Sequence, residues 1–221
     1  MTTLSAISAI SVDLDGTLYR ISRARVIWRL RRYRGLLMAL LAAREKIRHE
    51  PPLASLTALR AREVELVAPS FGLSTSDATA QLDALRRAIP SALTAGATPY
   101  PGVRMALLAA ARRNLKLVLF SDYDPKEKLS NLGLADLPWS LSFGAEELGA
   151  LKPHPVAFRW LADQIGVSVA SVLHVGDRED LDVAGALAAG ARAWRFAPEG
   201  RRVTRAERVF GYWSRDLFLD V

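Results

Sequence analysis

The clearest chemical signal in the sequence is a pair of aspartates near its beginning. Asp13 and Asp15 stand two residues apart, where the apolar run 7–14 ends. Two carboxylates spaced in this way on an extended chain point to the same side, so one can attack a substrate while the other handles protons or holds a metal. Gly16 allows a tight turn behind them, and Thr17 offers a hydroxyl.

Three further polar sites follow other apolar segments. Ser121 closes the run KLVLFS, where a hydroxyl and backbone amides can bind phosphate oxygens. Lys152 places an ammonium in a proline-stiffened loop just before a helical pattern. The segment 176–182 (GDREDLD) offers several carboxylates, including Asp177 and Asp182, and hard cations prefer such oxygen ligands.

Each of these sites has a simpler interpretation when it is taken alone. The D-x-D-G-T pattern is also found in turns that cap a helix, and Ser121 has the features of a cap residue. Lys152 resembles a solvated surface lysine, and Asp177 resembles an N-cap. The functional interpretation therefore depends on all four sites occurring in order, each in a suitable structural context.

Short β-rich runs alternate with helical patterns outside one long segment. This alternation predicts a parallel sheet covered on both faces, with functional residues at the carboxyl ends of the strands. The predicted strands are 7–14, 116–121, 139–143, 171–175 and 191–196. The predicted helices of this part are 103–113, 155–165 and 181–189.

The segment 19–98 interrupts this alternation, because it contains no convincing strand and at least three helical stretches. Between Val26 and Ile47, apolar residues form one predicted stripe that ends before Pro51. The next helices are predicted at 56–67 and 76–89. The segment carries 14 basic and 6 acidic residues, so the whole net charge of +7 arises here.

Together, the four motifs resemble those of the haloacid dehalogenase-like hydrolase superfamily, in its phosphatase branch. The resemblance covers about 6–197, and the insertion matches only in position and helical character. It implies an α/β fold, with a Rossmann-like three-layer parallel-sheet core and an inserted all-helical cap domain. The core would comprise 1–18 and 99–221, and the cap 19–98.

The resemblance also implies roles for the motif residues. Asp13 would be the nucleophile and a Mg²⁺ ligand, and Asp15 the general acid, with its backbone carbonyl also on the metal. Asp177 would be the third protein ligand, supported by Asp182. The phosphoryl oxygens would be bound by Thr17, Ser121 and Lys152.

This assignment predicts a Mg²⁺-dependent phosphomonoesterase that acts on a small phosphorylated metabolite through an aspartyl-phosphate. Asp13 and a phosphate dianion repel each other, so Mg²⁺ and Lys152 must offset that repulsion. Asp15 favours phosphate over halide, because an ester leaving group needs an acid. The alternatives are a sugar-phosphate mutase, or a protein that binds nucleic acid or an anionic membrane through its basic cap.

Three residues depart from the expected pattern or invite another interpretation. Asp122 follows Ser121, and we expect it to turn outward or to pair with Lys126 or Lys128. We expect no catalytic role for His154. A buried histidine with satisfied hydrogen bonds is the expectation for His174, rather than a metal ligand.

An arginine-rich stretch begins the inserted segment, with Trp28 and Tyr33 interleaved as expected packing residues. It is interpreted as a solvated helix face, as a grip on an anionic substrate through Arg20 and Arg23, or as a surface for nucleic acid or membrane. The arginines concerned are Arg20, Arg23, Arg25, Arg29, Arg31, Arg32 and Arg34. The aromatic tail 201–221 is expected to pack on the core as a helix or strand.

Composition narrows the other options. The chain of 221 residues is long enough for a sizeable core and contains no cysteine, so disulfides and thiolate metal sites are excluded. We recognise no secretory signal and no apolar run of the roughly 20 residues that a spanning helix needs. A cytoplasmic location is therefore expected.

Overall fold

A computed structural model describes residues 6–200 and 203–221. Its centre is a parallel sheet of six strands in the order β3-β2-β1-β4-β5-β6. The strands are β1 (Ala9–Val12), β2 (Lys116–Ser121), β3 (Trp139–Gly144), β4 (Val172–Gly176), β5 (Arg192–Phe196) and β6 (Arg208–Phe210). The predicted parallel-sheet fold is confirmed, although β1 is shorter than predicted.

Helices cover both faces of the sheet because its buried strands are apolar on both sides. In β1, Ile10 and Val12 join one core cluster, whereas Ala9 joins the other. The helices that follow the insertion are α5 (Val103–Arg112), α6 (Lys126–Asn131), α7 (Pro155–Gln164) and α8 (Ala184–Ala189). Residues of α5 and α6 lie in the first cluster, and residues of α7 and α8 in the second, which gives three layers.

The helical insertion lies between β1 and β2 and contains an apolar cluster of its own. Its helices are α1 (Arg23–Arg29), α2 (Arg34–Ile47), α3 (Leu56–Val67) and α4 (Thr75–Thr94). The single predicted stripe is wrong in two respects. The first helical stretch divides at a short 3₁₀ turn, Arg31–Tyr33, and Ile27 and Leu41 of the stripe are exposed.

Helix α4 continues past the predicted end at Ile89. Pro90 removes one backbone hydrogen bond, yet the helix runs to Thr94 because tertiary contacts support its last turn. Ala92 and Thr94 are buried there. Asn131 of α6 donates a hydrogen bond to the Thr94 hydroxyl at 3.0 Å.

The tail adds a sixth strand that the sequence pattern does not reveal. β6 pairs with β5, and Phe210, Trp213 and Phe218 are buried in the first core cluster. Trp213 Nε1 also donates to the Thr17 carbonyl at 3.3 Å. The expectation that the tail packs on the core is therefore confirmed for 203–221. Residues 201–202 of the tail and 1–5 of the predicted core lie outside the described residues.

Within the part of the chain that the structure describes, none of the helices combines the length and the apolar character needed to cross a membrane.

Candidate active site

Asp13 lies directly after β1, which is the central position of the sheet and the point where the strand order reverses. Its backbone N–H donates to the Val175 carbonyl of β4 at 2.9 Å. The carboxylate is buried and accepts hydrogen bonds from the Thr17 hydroxyl at 2.9 Å and from Lys152 Nζ at 2.8 Å. Such switch points are where open α/β sheets bind ligands.

Gly16 makes the turn that returns Thr17 to Asp13. Its φ of +94° lies in the left-handed region, and a Cβ there would stand 2.7 Å from Asp177 Oδ2. A side chain at this position would therefore be strained and would push against the fourth motif. Glycine allows the first and fourth motifs to approach each other.

Lys152 joins two of the motif carboxylates. Its ammonium is 2.8 Å from both Asp13 Oδ1 and Asp182 Oδ1, and the side chain is only 2% exposed. Burial lowers the pKa of Lys152, but the two aspartates outweigh this effect and raise the pKa above its usual value. The loop before α7 therefore holds a permanently charged ammonium at the nucleophile position.

Asp177 and Asp182 of the fourth motif have opposite environments. Asp182 is fully engaged, because it also accepts from the Arg178 N–H at 3.0 Å and contacts His174 Nε2 at 3.3 Å. Burial raises the pKa of Asp182, but Lys152 and His174 outweigh it and lower the pKa. In contrast, Asp177 Oδ1 is buried without a hydrogen-bond partner. Burial and the Asp182 charge raise the pKa of Asp177 to about 6.

Asp13, Asp177 and Asp182 each direct a carboxylate oxygen to a common point, with these atoms within 4.8 Å of one another. Lys152 is the one cation that contacts this group directly among the described residues. Burial raises the pKa of Asp13 to about 8, against the lowering effect of Lys152 and with help from the neighbouring carboxylates. A buried carboxylate cluster with a negative excess and an orphaned oxygen fits a hard divalent cation.

Asp15 does not share this common point. Its carboxylate accepts from the Tyr19 hydroxyl at 2.6 Å and forms an ion pair with Lys128 Nζ of α6. Lys128 is 1% exposed, so this lysine is as buried as the one in the third motif. Sequence reasoning missed both partners. Tyr19 could have been found from its spacing of four residues, whereas Lys128 gave no local signal.

Ser121 ends β2 on the same edge of the sheet as the other motifs. The register pairs Leu119 with Val12, so Ser121 lies just beyond β1. The side chain is buried, and its hydroxyl accepts a hydrogen bond from the Tyr123 N–H at 3.4 Å. The four motifs therefore meet at one edge of the sheet.

The expectation for Asp122 is wrong. Its carboxylate pairs at 2.6 Å with Arg48, the residue that follows α2, rather than with Lys126 or Lys128. It also accepts from the Lys152 N–H at 2.9 Å. Arg48 also donates to the Lys152 carbonyl. Burial raises the pKa of Asp122, but Arg48 and other cations outweigh it and lower the pKa. Tertiary packing thus gives Asp122 a partner from the helical insertion.

A second buried ionic cluster stands beside this pair. Arg44 of α2 lies 2.9 Å from Glu63 and 3.0 Å from Glu146. Its guanidinium carbon is 3.9 Å from the ring centre of Tyr123, and Arg86 of α4 pairs with Glu63. Because Glu146 belongs to the turn after β3, these contacts fasten the insertion to the loops that carry the second and third motifs.

The expectation that His174 is a buried histidine with satisfied hydrogen bonds is confirmed. His174 is fully buried, and its Nδ1 is 3.0 Å from the Ser11 hydroxyl. Its other ring nitrogen contacts Asp182, so it orients that carboxylate. His154 caps α7 by accepting from the Val156 N–H at 3.2 Å.

The aromatic residues of the arginine-rich stretch differ from each other. Trp28 is 64% exposed, so the expectation that it is a packing residue is wrong. It lies on α1, which has no buried residue. Tyr33 packs partly buried against the insertion cluster, as expected.

A cleft of about 1060 Å³ opens beside the carboxylates. Arg20, Arg23, Gly16 and Asp177 are among its lining residues. Arg20 forms an exposed ion pair with Glu199 at 3.1 Å. The two arginines proposed to grip a substrate therefore lie on the cleft that reaches the candidate site, and their substrate role stays a prediction.

Comparisons with known proteins agree on one family. A family model described as haloacid dehalogenase-like hydrolase matches residues 7–190. A phosphatase from Mycobacterium tuberculosis is 29% identical over 211 residues, covering 89% of this chain and 90% of that protein. A phosphoglycolate phosphatase from Rhodospirillum rubrum is 39% identical over 99 residues, covering 43% of this chain and 40% of that protein.

Two solved structures are similar in fold. A 2-haloacid dehalogenase from Pseudomonas syringae has a TM-score of 0.67 at 24% identity, covering 93% of this chain and 94% of that one. CbbY from Rhodobacter sphaeroides, solved with phosphate, has a TM-score of 0.66 at 17% identity, covering 95% and 96%.

Proposed function

The chain is a hydrolase that belongs to the haloacid dehalogenase-like family, as its motifs predict, and we propose that it is a Mg²⁺-dependent phosphomonoesterase. The observation that carries this proposal is the convergence of Asp13, Asp177 and Asp182 around one point, with Asp177 Oδ1 left unpaired. Relatives that are named phosphatases support phosphate esters as the substrate class.

Asp13, Asp177 and the backbone carbonyl of Asp15 would hold the Mg²⁺ ion, with Asp182 in support. When bound, the ion would neutralise phosphate charge and fix the phosphoryl group in line for attack. Lys152, Thr17 and Ser121 would bind the remaining phosphoryl oxygens.

In the first step, an Asp13 carboxylate oxygen attacks phosphorus and the bond from phosphorus to the ester oxygen breaks. Asp15 gives its proton to the departing alcohol. In the second step, Asp15 takes a proton from water as the water oxygen attacks phosphorus, and the bond to Asp13 breaks. Inorganic phosphate leaves and the Asp13 carboxylate is restored. A covalent intermediate divides one difficult reaction into two easier ones.

Tyr19 and Lys128 hold Asp15 apart from the carboxylate cluster. This separation keeps the acid–base group distinct from the metal ligands. We further propose that the helical insertion, 19–98, acts as a cap domain over the core formed by 1–18 and 99–221. Such caps exclude water from the reacting centre. A small phosphorylated metabolite would enter through the cleft that Arg20 and Arg23 line. The cytoplasmic location stays a prediction.

The direct test is hydrolysis of a panel of phosphate esters, beginning with p-nitrophenyl phosphate and Mg²⁺. Asp13→Asn should abolish release, whereas the matched control Asp163→Asn, at an exposed position on α7, should not change it. Failure of every ester to be hydrolysed above the Asp13→Asn background would count against the proposal.

The covalent step needs its own test. When a reaction with an ester labelled in its phosphoryl group is quenched with acid, the protein without substitutions should carry the label, and hydroxylamine should remove it. Asp13→Asn should retain no label. Product analysis with hexose phosphates separates hydrolysis from a mutase reaction, because a mutase returns the phosphoryl group to the sugar instead of releasing phosphate.

A further inference from the structure

Helix α1 has an unusual composition for a helix that is folded onto a protein. It has no buried residue, no side-chain N-cap bond and no acidic residue in its first turn. Its two largest apolar side chains, Ile27 and Trp28, are 61% and 64% exposed. An isolated helix of this length is unstable in water. Val26 of α1 packs partly buried against the insertion cluster, but Ile27 and Trp28 do not stabilise the helix by burial.

The surroundings of α1 are strongly cationic. Seven arginines and no acidic residue occur between Arg20 and Arg34. Among the described residues, only Arg20 of these seven pairs with a carboxylate. Arg31 and Arg32 instead stack on Trp28 and Tyr33, their own neighbours in the chain. The positive charge of α1 is therefore not offset by the rest of the protein.

The exposed pair lies close to the candidate active site. Arg23 and Ala24 line the cleft, and residues four positions apart share a helix face. Ile27 and Trp28 therefore continue those faces one turn beyond the cleft wall. The apolar pair and the cleft mouth belong to the same side of α1.

We propose that this α1 surface, formed by Ile27 and Trp28 with Arg29, Arg31 and Arg32, docks on an anionic lipid bilayer. Helices with aromatic and aliphatic residues amid arginines lie at the membrane interface, where arginines contact lipid phosphates. Binding would place the mouth of the cleft at the lipid headgroups.

Two features favour lipid over nucleic acid. Ile27 offers no hydrogen bond or stacking surface to a nucleotide, whereas it gains from entering the acyl boundary. Its neighbour Trp28 is the residue type that concentrates at membrane interfaces. A phosphate backbone would engage the arginines, and Ile27 would add little to that binding.

The test is co-sedimentation of the full chain with phosphatidylcholine vesicles, with and without phosphatidylglycerol. We expect retention on the anionic vesicles only. The double variant Ile27→Ser/Trp28→Ser should bind at least about tenfold more weakly, given the apolar area removed. Arg29→Gln/Arg32→Gln should lose about fivefold for each arginine and should weaken further with salt.

Two matched control variants change exposed residues outside the helical insertion. Met105 and Tyr212 are 59% and 76% exposed, so Met105→Ser/Tyr212→Ser removes exposed apolar area elsewhere and should leave binding unchanged. Arg112→Gln/Arg215→Gln removes two exposed charges outside the insertion, and retention should persist. Circular dichroism checks folding, and Trp28→Ser alone replaces the double variant if that variant unfolds.

Three outcomes would overturn the inference. The first is that the protein is not retained on anionic vesicles at low salt, the second that the double variant Ile27→Ser/Trp28→Ser binds them as tightly as the unsubstituted protein does, and the third that the protein binds single-stranded RNA more tightly than these vesicles. Vesicle binding needs no turnover, so this result is independent of the proposed phosphatase reaction.

Discussion

Two clusters of buried charge lie side by side in this protein, and they are balanced differently. At the strand ends, Asp13 and Asp182 contact Lys152 directly, whereas Oδ1 of the neighbouring Asp177 has no hydrogen-bond partner. Between the helical insertion and the core, each carboxylate has an arginine. The pairs there are Arg48–Asp122, Arg44–Glu63, Arg44–Glu146 and Arg86–Glu63.

The pKa shifts follow this difference. In the strand-end cluster, burial and neighbouring carboxylates raise the pKa of Asp13 to about 8 and that of Asp177 to about 6, although Lys152 and His174 lower the pKa of Asp182. In the insertion contact, burial is outweighed by Arg48 and the pKa of Asp122 is lowered. An unbalanced cluster is prepared to bind a cation, whereas a balanced one holds two parts of the protein together.

Asp13→Asn should have the largest effect, and on activity alone. We expect phosphatase activity to fall on the order of 10⁴-fold or more, as when other enzymes lose their nucleophile. The metal-free variant should unfold at no lower urea concentration, because the substitution removes charge from a cluster with a negative excess. A substantially less stable variant would show that the strand-end cluster is a structural contact after all.

Arg44→Met should have the next largest effect, and on stability. Removing one partner of a buried ion pair costs about 3–5 kcal/mol, because Glu63 and Glu146 keep their charges in a buried site. Arg29→Met on the exposed helix α1 is the matched control and should change the free energy of unfolding by less than about 0.5 kcal/mol. Urea unfolding in excess chelator measures both.

The strand-end cluster could be predicted from the sequence because its signals are local. Asp13, Ser121 and Asp177 each follow an apolar run, and the carboxyl ends of parallel strands meet at one edge. Lys152 is marked by a proline-containing loop just before α7. Short patterns and one topological rule are enough to bring these four residues together.

The insertion contact could not be predicted in the same way. Its partners lie far apart in sequence, as with Arg44 and Glu146, which are separated by 102 residues. The sequence predicts that Asp122 turns outward or pairs with Lys126 or Lys128, but in the fold it pairs with Arg48. Lys128 and Asp15, separated by 113 residues, show the same limit within the site. Charge partners that depend on helix docking leave no periodic trace in the chain.

Arg48→Met removes the ion pair between Arg48 and Asp122, which lies next to the proposed phosphate-binding residues. Asp122 would then carry an unpaired charge beside Ser121 and Lys152 and repel phosphate. We expect inhibition by inorganic phosphate to weaken about tenfold, within the range of coupling measured for contacting residues.

Asp122→Asn should restore much of this loss in the double variant, because the repelling charge is gone while an oxygen still accepts the Lys152 N–H. The inhibition constant of inorganic phosphate and the KM of the substrate should recover together. Equal weakening in the single and double variants would mean that Arg48 acts by supporting the fold rather than by compensating Asp122.

The smallest effect, per unit of pH, is the opposite response of the two clusters to acid. The pKa values of Asp13 and Asp177 rise on folding from 3.8 to about 8 and about 6. At these two carboxyls the folded metal-free protein therefore binds more protons than the unfolded chain, and their contribution to stability should fall as pH rises from about 4 to about 8. Each carboxyl contributes at most about 1.4 kcal/mol per pH unit.

For Asp122 the folded pKa is lowered, so its contribution to stability is present above the unfolded pKa and is lost as pH falls below about 4. Urea unfolding in chelator across this range measures both slopes. Asp13→Asn should reduce the slope between about pH 4 and pH 8, and Arg48→Met/Asp122→Asn should reduce the loss of stability below about pH 4. Saturating Mg²⁺ should flatten only the slope between about pH 4 and pH 8, because a bound cation replaces the protons on Asp13 and Asp177. A slope between about pH 4 and pH 8 that Asp13→Asn leaves unchanged would contradict the charge imbalance on which the distinction between the clusters depends.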